Sequence, residues 1–374
     1  MSRRVRTILI SVISLLALGF VSCGQGGGVA GGGLGRTGDQ VVLRMQLFQM
    51  VNDVEFRLMQ EMSDQLLIAS DGRLRIEVNP LGTFSTGVEG FPSVTHGVFD
   101  IFGGYGTWLR HIDYALHVIT TGNMGMDTIA KNIWINEHGG FELAEQLFDR
   151  ANLVLLAMLT DGTEVGHSRM PITSLDQLQG LRFRSSDTRI HPHLGISGMT
   201  LPLEEIFMAF QTGVVDVVEY GHLEINRNLG LTDAARYLFW PDFWNVNNTL
   251  SFAMNRQSYN RLPPDLQMML RMAFRGLEFR HFTATQFASA VAMRELVEAG
   301  RNEVTRIADP PETWAEMRRV MFEIEQAEMA NYGGMTQAAF ESMHEFMTIW
   351  FPYRYASRWW GEGLTPQQQA GFDF

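Results

Sequence analysis

Val41 to Phe48 alternates apolar and polar side chains, a period of two that predicts a strand. Val54 to Ile68 switches to helical spacing, with Phe56, Met59, Met62, Leu66 and Leu67 on one face. Asp71-Gly72 turns the chain, and Leu74 to Val78 alternates again. Strand, helix, strand in that order predicts a βαβ unit and the start of an α/β sheet. The pattern continues with a helix near Gly87 to Gly97 and a strand at Val98 to Phe102, followed by Gly103-Gly104-Tyr105. Further strands are expected at Val154–Leu159, Arg182–Arg184, Val214–Val218 and Leu250–Met254. Asn132–Leu147 reads as one helix; His191–Gly195, Leu203–Thr212 and Asn226–Ala235 supply more helix, and Leu175–Leu178 a short turn or helix.

The pattern changes at Pro263. Leu266, Met269, Leu270, Ala273, Leu277, Phe287, Val291 and Leu296 recur at helical spacing as far as Gly300, which predicts one long helix kinked near Gly276. Thr313–Ala330 and Thr336–Trp350 follow as helices, with Pro352 kinking or ending the last. These elements predict an α/β fold of two lobes. Lobe I takes 41–160 and is completed by about 250–285; lobe II takes 161–249. Residues 263–300 form a bracing helix and 301–374 C-terminal helices.

The N-terminus reads as a targeting segment. Arg3, Arg4 and Arg6 precede an apolar run, Ile8 to Val21, that is short for a membrane span and stops at Ser22-Cys23-Gly24. This resembles a bacterial lipoprotein signal over residues 1–22, with Cys23 as the lipidated residue and 23–40 as a Gly-rich tether. Cys23 is the only cysteine, so the remaining chain has no disulfide and no thiolate chemistry. A net charge of −12 argues against nucleic acid and means that a bound anion needs a local positive feature.

Enzyme signatures are missing: the chain has no HExxH, no GxSxG and no Walker-type loop. His191-Pro192-His193 is a close histidine pair with no further ligand at zinc spacing. Arg184 ends a short strand and offers a planar guanidinium fork for a carboxylate, although Arg182 shares its face and spacing alone does not choose between them. Glu219 follows the apolar run Val214–Val218, and Glu164 follows Val154–Leu159 through Asp161-Gly162, both where α/β sites lie. Two converging carboxylates would call for a cation such as Na⁺ or Ca²⁺. Tyr105, after its glycine pair, and Trp244, in the aromatic segment Phe239–Trp244, complete the expected substrate wall. Glu164, His167 and Glu219 together leave open a metal-dependent enzyme. A ligand sensor that signals through a membrane partner is a further reading.

Several of these segments, in this order, carry a family resemblance: Asp71-Gly72-Arg73-Leu74, Gly97-Val98-Phe99-Asp100, Gly139-Gly140, Leu175 to Arg184, and Glu205 through Gln211-Thr212-Gly213-Val214-Val215-Asp216 to Glu219. The chain resembles the extracytoplasmic solute receptors of TRAP transporters, the DctP-like family. The resemblance implies a two-lobed periplasmic-binding-protein-like fold with mixed sheets, a long inter-lobe helix and C-terminal helices. It implies a receptor that binds a small organic acid and delivers it to TRAP membrane subunits, with Arg184 as the carboxylate partner. In the branch that binds 2-oxo acids and lactate, a metal ion is held at the positions of Glu164, Glu219 and Tyr220. This chain departs there, with Glu164 in place of Gln and Tyr220 in place of a frequent Trp. Some relatives in that branch pair through C-terminal helices, which extends the expectation of a homodimer to the aromatic tail here.

Overall fold

The computed structural model describes residues 40–121, 126–240 and 248–356. Among them are eleven strands: β1 (Val41–Leu47), β2 (Leu74–Asn79), β3 (Ile101–Tyr105), β4 (Leu153–Thr160), β5 (Glu164–Ser168), β6 (Arg182–Arg184), β7 (Ser197–Met199), β8 (Val217–His222), β9 (Tyr237–Trp240), β10 (Thr249–Asn255) and β11 (Glu303–Arg306). They form two mixed sheets. The first has the order β2-β1-β3-β10-β4, the second β11-β9-β5-β8-β6-β7. In the first, β1 runs parallel to β2 and β3, while β10 lies antiparallel between β3 and β4. In the second, β5 is antiparallel to β8 and β9, and β6 is parallel to β7 and β8.

The chain passes from the first sheet to the second between Thr160 and Glu164, and returns between β9 and β10. The Asp161 amide donates to the Asn248 carbonyl at 2.9 Å, so the first crossing is tied to the residue that precedes β10. The Pro264–Ala299 helix is anchored in both cores. Leu266, Leu270, Phe274 and Leu277 from its first half pack with the Val54–Ala69 helix, β1 and β10. Ala292 and Leu296 from its second half pack with Val165 and Leu238 of the second sheet and with Leu223, which opens the helix after β8. Each fully buried Leu or Phe contributes about 1.5–3 kcal/mol, so both ends are firmly held. Between these two apolar segments sit the buried polar residues Glu278, His281 and Thr285.

Several elements differ from the sequence expectation. Asn132–Leu147 is split into helices Thr128–Glu137 and Gly140–Arg150, because Gly139 takes φ +85° between them. Asn226–Ala235 is likewise divided into Leu223–Asn228 and Leu231–Ala234 by Gly230. Gly103 and Gly104 lie inside β3, where no turn follows the expected strand. A Cβ at Gly103 would lie 2.4 Å from the Phe252 ring and one at Gly104 2.3 Å from Phe102, so aromatic packing against the backbone requires both glycines. The long helix is unbroken at Gly276, and the last helix, Gly334–Ala356, runs through Pro352. Strand β11 opens the C-terminal region that the pattern assigned to helices alone and pairs with β9.

Candidate functional site

Arg184 is the last residue of β6, held in register by β7 and β8 on either side. Its side chain is buried, with the residue 7% exposed. Nη1 donates to the main-chain carbonyl of Glu219 at 2.5 Å and Nη2 to that of Leu201 at 3.3 Å. Among the described residues Nε has no partner and no carboxylate pairs with the guanidinium. Its Cζ lies 5.6 Å from the centre of the Tyr220 ring. Burial pulls its pKa down to about 10, with Tyr220 and Tyr105 acting in the opposite sense, so it stays cationic at neutral pH. Arg182 is committed elsewhere: it is exposed and forms a forked pair with Asp216 at 2.9 and 2.6 Å. Burial distinguishes the two arginines that share a strand face: Arg184 is buried and Arg182 is exposed.

Glu219 and Tyr220 lie within β8, which starts at Val217; the pattern had placed both beyond a strand's end. Val214 is instead exposed. The buried Glu219 carboxylate accepts from Ser185 Oγ at 2.5 Å. Burial raises the Tyr220 hydroxyl well above the usual tyrosine range. Glu164 opens β5, an element the sequence did not reveal, and faces His222 across the ladder. Its buried carboxylate accepts from the Asn248 side-chain amide. The Asn248 Oδ1 is buried without a partner. Carboxylate and amide oxygens of this kind are hard donors of the type that suits Ca²⁺ or Na⁺.

Tyr105 ends β3. Its hydroxyl donates to Asp161 Oδ2 at 3.1 Å, and its ring meets Phe48 and Trp108 edge-on, each at 5.5 Å between ring centres. Trp244 and Cys23 lie outside the described residues. The triad Glu164, His167 and Glu219 is split by the register of the ladder. Gly166 pairs with Glu219 and His167 with Val218, so His167 and Glu219 project from opposite faces of the sheet. His167 Nε2 instead accepts from the Asn226 amide at 2.9 Å. His191 is buried against Phe183 and His193 is exposed, so that histidine pair does not converge.

Sequence reasoning missed a second group beside these residues. The Glu55 carboxylate accepts from His222 Nε2 at 2.8 Å. Burial alone would raise Glu55 and lower His222. The opposite charges win, holding Glu55 below the carboxylate range and pushing His222 up to about 9. Asp161 is pushed up to about 8 by burial and by the charge of Glu55. His281 is lowered to about 4 by burial and is neutral. The signal for His281 was present: it falls on the stripe Leu270, Phe274, Leu277, Thr285 that faces the core. Gln49, buried beside Phe48, has neither amide atom paired and offers a donor and an acceptor to a ligand. A surface groove bordered by Asp127, Thr163, Phe282 and Phe287 contains none of these groups.

Similarity to known proteins agrees with this architecture. The chain is 24% identical over 207 residues to the monocarboxylate 2-oxoacid-binding periplasmic protein of Nostoc sp. (strain PCC 7120), covering 54% of this chain. It spans 57% of the length of that curated relative. A TRAP periplasmic solute-binding protein from Colwellia psychrerythraea, solved with calcium and pyruvate, superposes with a TM-score of 0.77 at 19% identity, over 85% of this chain and 98% of that one. A second from Pseudoalteromonas atlantica, solved with sodium and pyruvate, gives 0.75 at 20% identity, over 86% and 100%. Residues 50–329, which include Arg184, Glu164, Glu219 and Tyr220, match bacterial extracellular solute-binding protein family 7, the DctP family, and the chain belongs to it.

Proposed function

We propose that this protein is the extracytoplasmic receptor of a TRAP-type transporter and captures a small organic acid by pairing its carboxylate with Arg184. The observation that carries this reading is a buried guanidinium with no carboxylate partner among the described residues. A charge taken out of water without a counter-ion costs several kcal/mol, and a ligand carboxylate would offset that cost. The two carbonyls on Nη1 and Nη2 orient the fork and leave Nε for the ligand. Tyr105, Tyr220 and Phe48 supply an apolar wall suited to a compact acid, and the unpaired Gln49 amide suits a keto or hydroxyl oxygen beside the carboxylate.

Glu164, Glu219 and the Asn248 Oδ1 would hold a Ca²⁺ or Na⁺ ion. Such an ion would supply the positive charge that lets two buried carboxylates face an anionic ligand. The pyruvate-bound relatives with calcium and sodium support both halves of this reading. The guanidinium is too buried for a ligand to reach it by diffusion alone, so capture requires the two sheets to part and close again. Lipidation at Cys23 would keep the receptor beside its membrane subunits; Cys23→Ser then moves it to the soluble fraction. A thermal-shift panel of small monocarboxylates and dicarboxylates, with calcium, with sodium and with chelator, tests the assignment. A stabilising acid whose effect grows with one of the cations is expected. A panel with no stabilising acid under any condition removes the reading.

A further inference from the structure

We propose that Glu55, Asp161 and His281 form a second, buried metal site for one divalent cation of the Zn²⁺ or Mn²⁺ class. The three side chains come from distant parts of the chain: the first turn of the Val54–Ala69 helix, the crossing after β4, and the middle of the Pro264–Ala299 helix. One oxygen from each carboxylate and one ring nitrogen lie within 4.8 Å of one another. His281 Nε2 is 3.5 Å from Asp161 Oδ1 and 3.9 Å from Glu55 Oε1. All three residues are buried, at 1%, 5% and 0% exposure for Glu55, Asp161 and His281.

The protonation of the ring follows from its other partner. His281 Nδ1 lies 3.1 Å from the Thr160 carbonyl. A carbonyl can only accept, so Nδ1 carries the proton and Nε2 turns a lone pair toward the two carboxylates. Glu55 Oε2, Asp161 Oδ1 and His281 Nε2 have no hydrogen-bond partner. The Glu55 carboxylate and the His281 lone pair share a dry space and repel one another, and each buried acceptor left unpaired costs about 1–3 kcal/mol. A cation among them reverses the sign of that interaction.

The spacing and donor types select the ion. Bonds of about 2.0–2.1 Å to a tetrahedral zinc place donors about 3.3 Å apart, and the 3.5 Å between His281 Nε2 and Asp161 Oδ1 is near this, so that a small movement of Glu55 would complete the set. One imidazole with two carboxylates suits borderline divalent metals, whereas Ca²⁺ and Na⁺ prefer oxygen alone. Each ligand is also oriented from behind. His222 holds Glu55 Oε1, the Tyr105 hydroxyl holds Asp161 Oδ2, and Thr160 holds the His281 ring. Outer partners of this kind fix ligand geometry at metal centres. The alternative group Glu55, His222 and Glu224 is weaker, since His222 is already bonded to Glu55 and Glu224 is only half-buried. The ion would join a helix of the first sheet, the crossing, and the bracing helix.

This inference is independent of the organic-acid reading, because metal uptake is measured without ligand. The protein is dialysed against chelator, then titrated with Zn²⁺ by calorimetry and with Co²⁺ by visible absorption. One equivalent of each metal per chain is expected, with cobalt bands of a nitrogen-ligated site. His281→Gln and Asp161→Asn should each weaken binding at least tenfold, while His193→Gln, at an exposed histidine, binds as wild type. Should one of the two site variants fail to fold, the other makes the comparison. Uptake well below one equivalent by the wild-type chain overturns the proposal, as does unchanged affinity in the site variants.

Discussion

The main-chain amide of Asp161 donates to the main-chain carbonyl of Asn248 at 2.9 Å, tying the segment that follows β4 to the residue that precedes β10. The same contact sets the Asn248 side chain beside Glu164, whose carboxylate accepts from its amide. A hydrogen bond to a charged group is worth about 1.5–3 kcal/mol, and losing it leaves the carboxylate buried. Asn248→Asp removes that donor and sets a second carboxylate against Glu164. It should lower the melting temperature by several degrees in chelator, and calcium should restore more of the loss than it adds to wild type. Equal melting of both proteins with and without calcium would remove Asn248 and Glu164 from the cation site.

Gly166 is a packing requirement of the same ladder. A Cβ built there would lie 2.2 Å from the Phe239 ring, which fills the second sheet's core. Gly166→Ala should destabilise the protein by about 1–3 kcal/mol, the usual range for overpacking. Phe239→Leu added to it should recover part of that loss. Urea midpoints check both, and a double variant no more stable than Gly166→Ala would contradict the clash.

His167 makes the fold sensitive to acid. Burial pulls its pKa down to about 3, and its Nε2 accepts from Asn226, which requires a neutral ring. The folded value lies below the unfolded one of about 6.5, so the unfolded chain binds the proton first. The contribution is therefore complete above pH 6.5 and is lost as pH falls towards 3. Between pH 7.5 and pH 5 this group alone should remove about 2 kcal/mol. In His167→Gln, whose side-chain oxygen can accept from the same amide, the difference in urea midpoint between those two pH values should shrink. An identical pH difference in variant and wild type would assign the acid loss to other groups.

What the sequence revealed follows from where burial and periodicity coincide. The opening βαβ unit was legible because Leu43, Met45 and Leu47 alternate inward and Met59, Met62 and Leu66 share one helix face. Strand β8 was shifted in reading because its second half carries Glu219, Tyr220 and His222, buried polar groups that break the apolar pattern. The two helix breaks were hidden by apolar spacing that continues across Gly139 and Gly230, where only the backbone conformation changes. Arg184 was legible as a strand-end arginine, yet its separation from Arg182 depended on tertiary burial. Glu55, Asp161, His222 and His281 are scattered over the chain, and no local spacing could join them.

The pairing of Arg184 with a ligand carboxylate is tested most directly by calorimetric titration of wild type and Arg184→Ala with the acid that stabilises the wild-type protein best. Breaking a buried ion pair by removing one partner costs about 3 kcal/mol or more, so the variant should bind about a hundredfold more weakly while folding normally. Wild-type affinity in Arg184→Ala would contradict the account and place the carboxylate elsewhere.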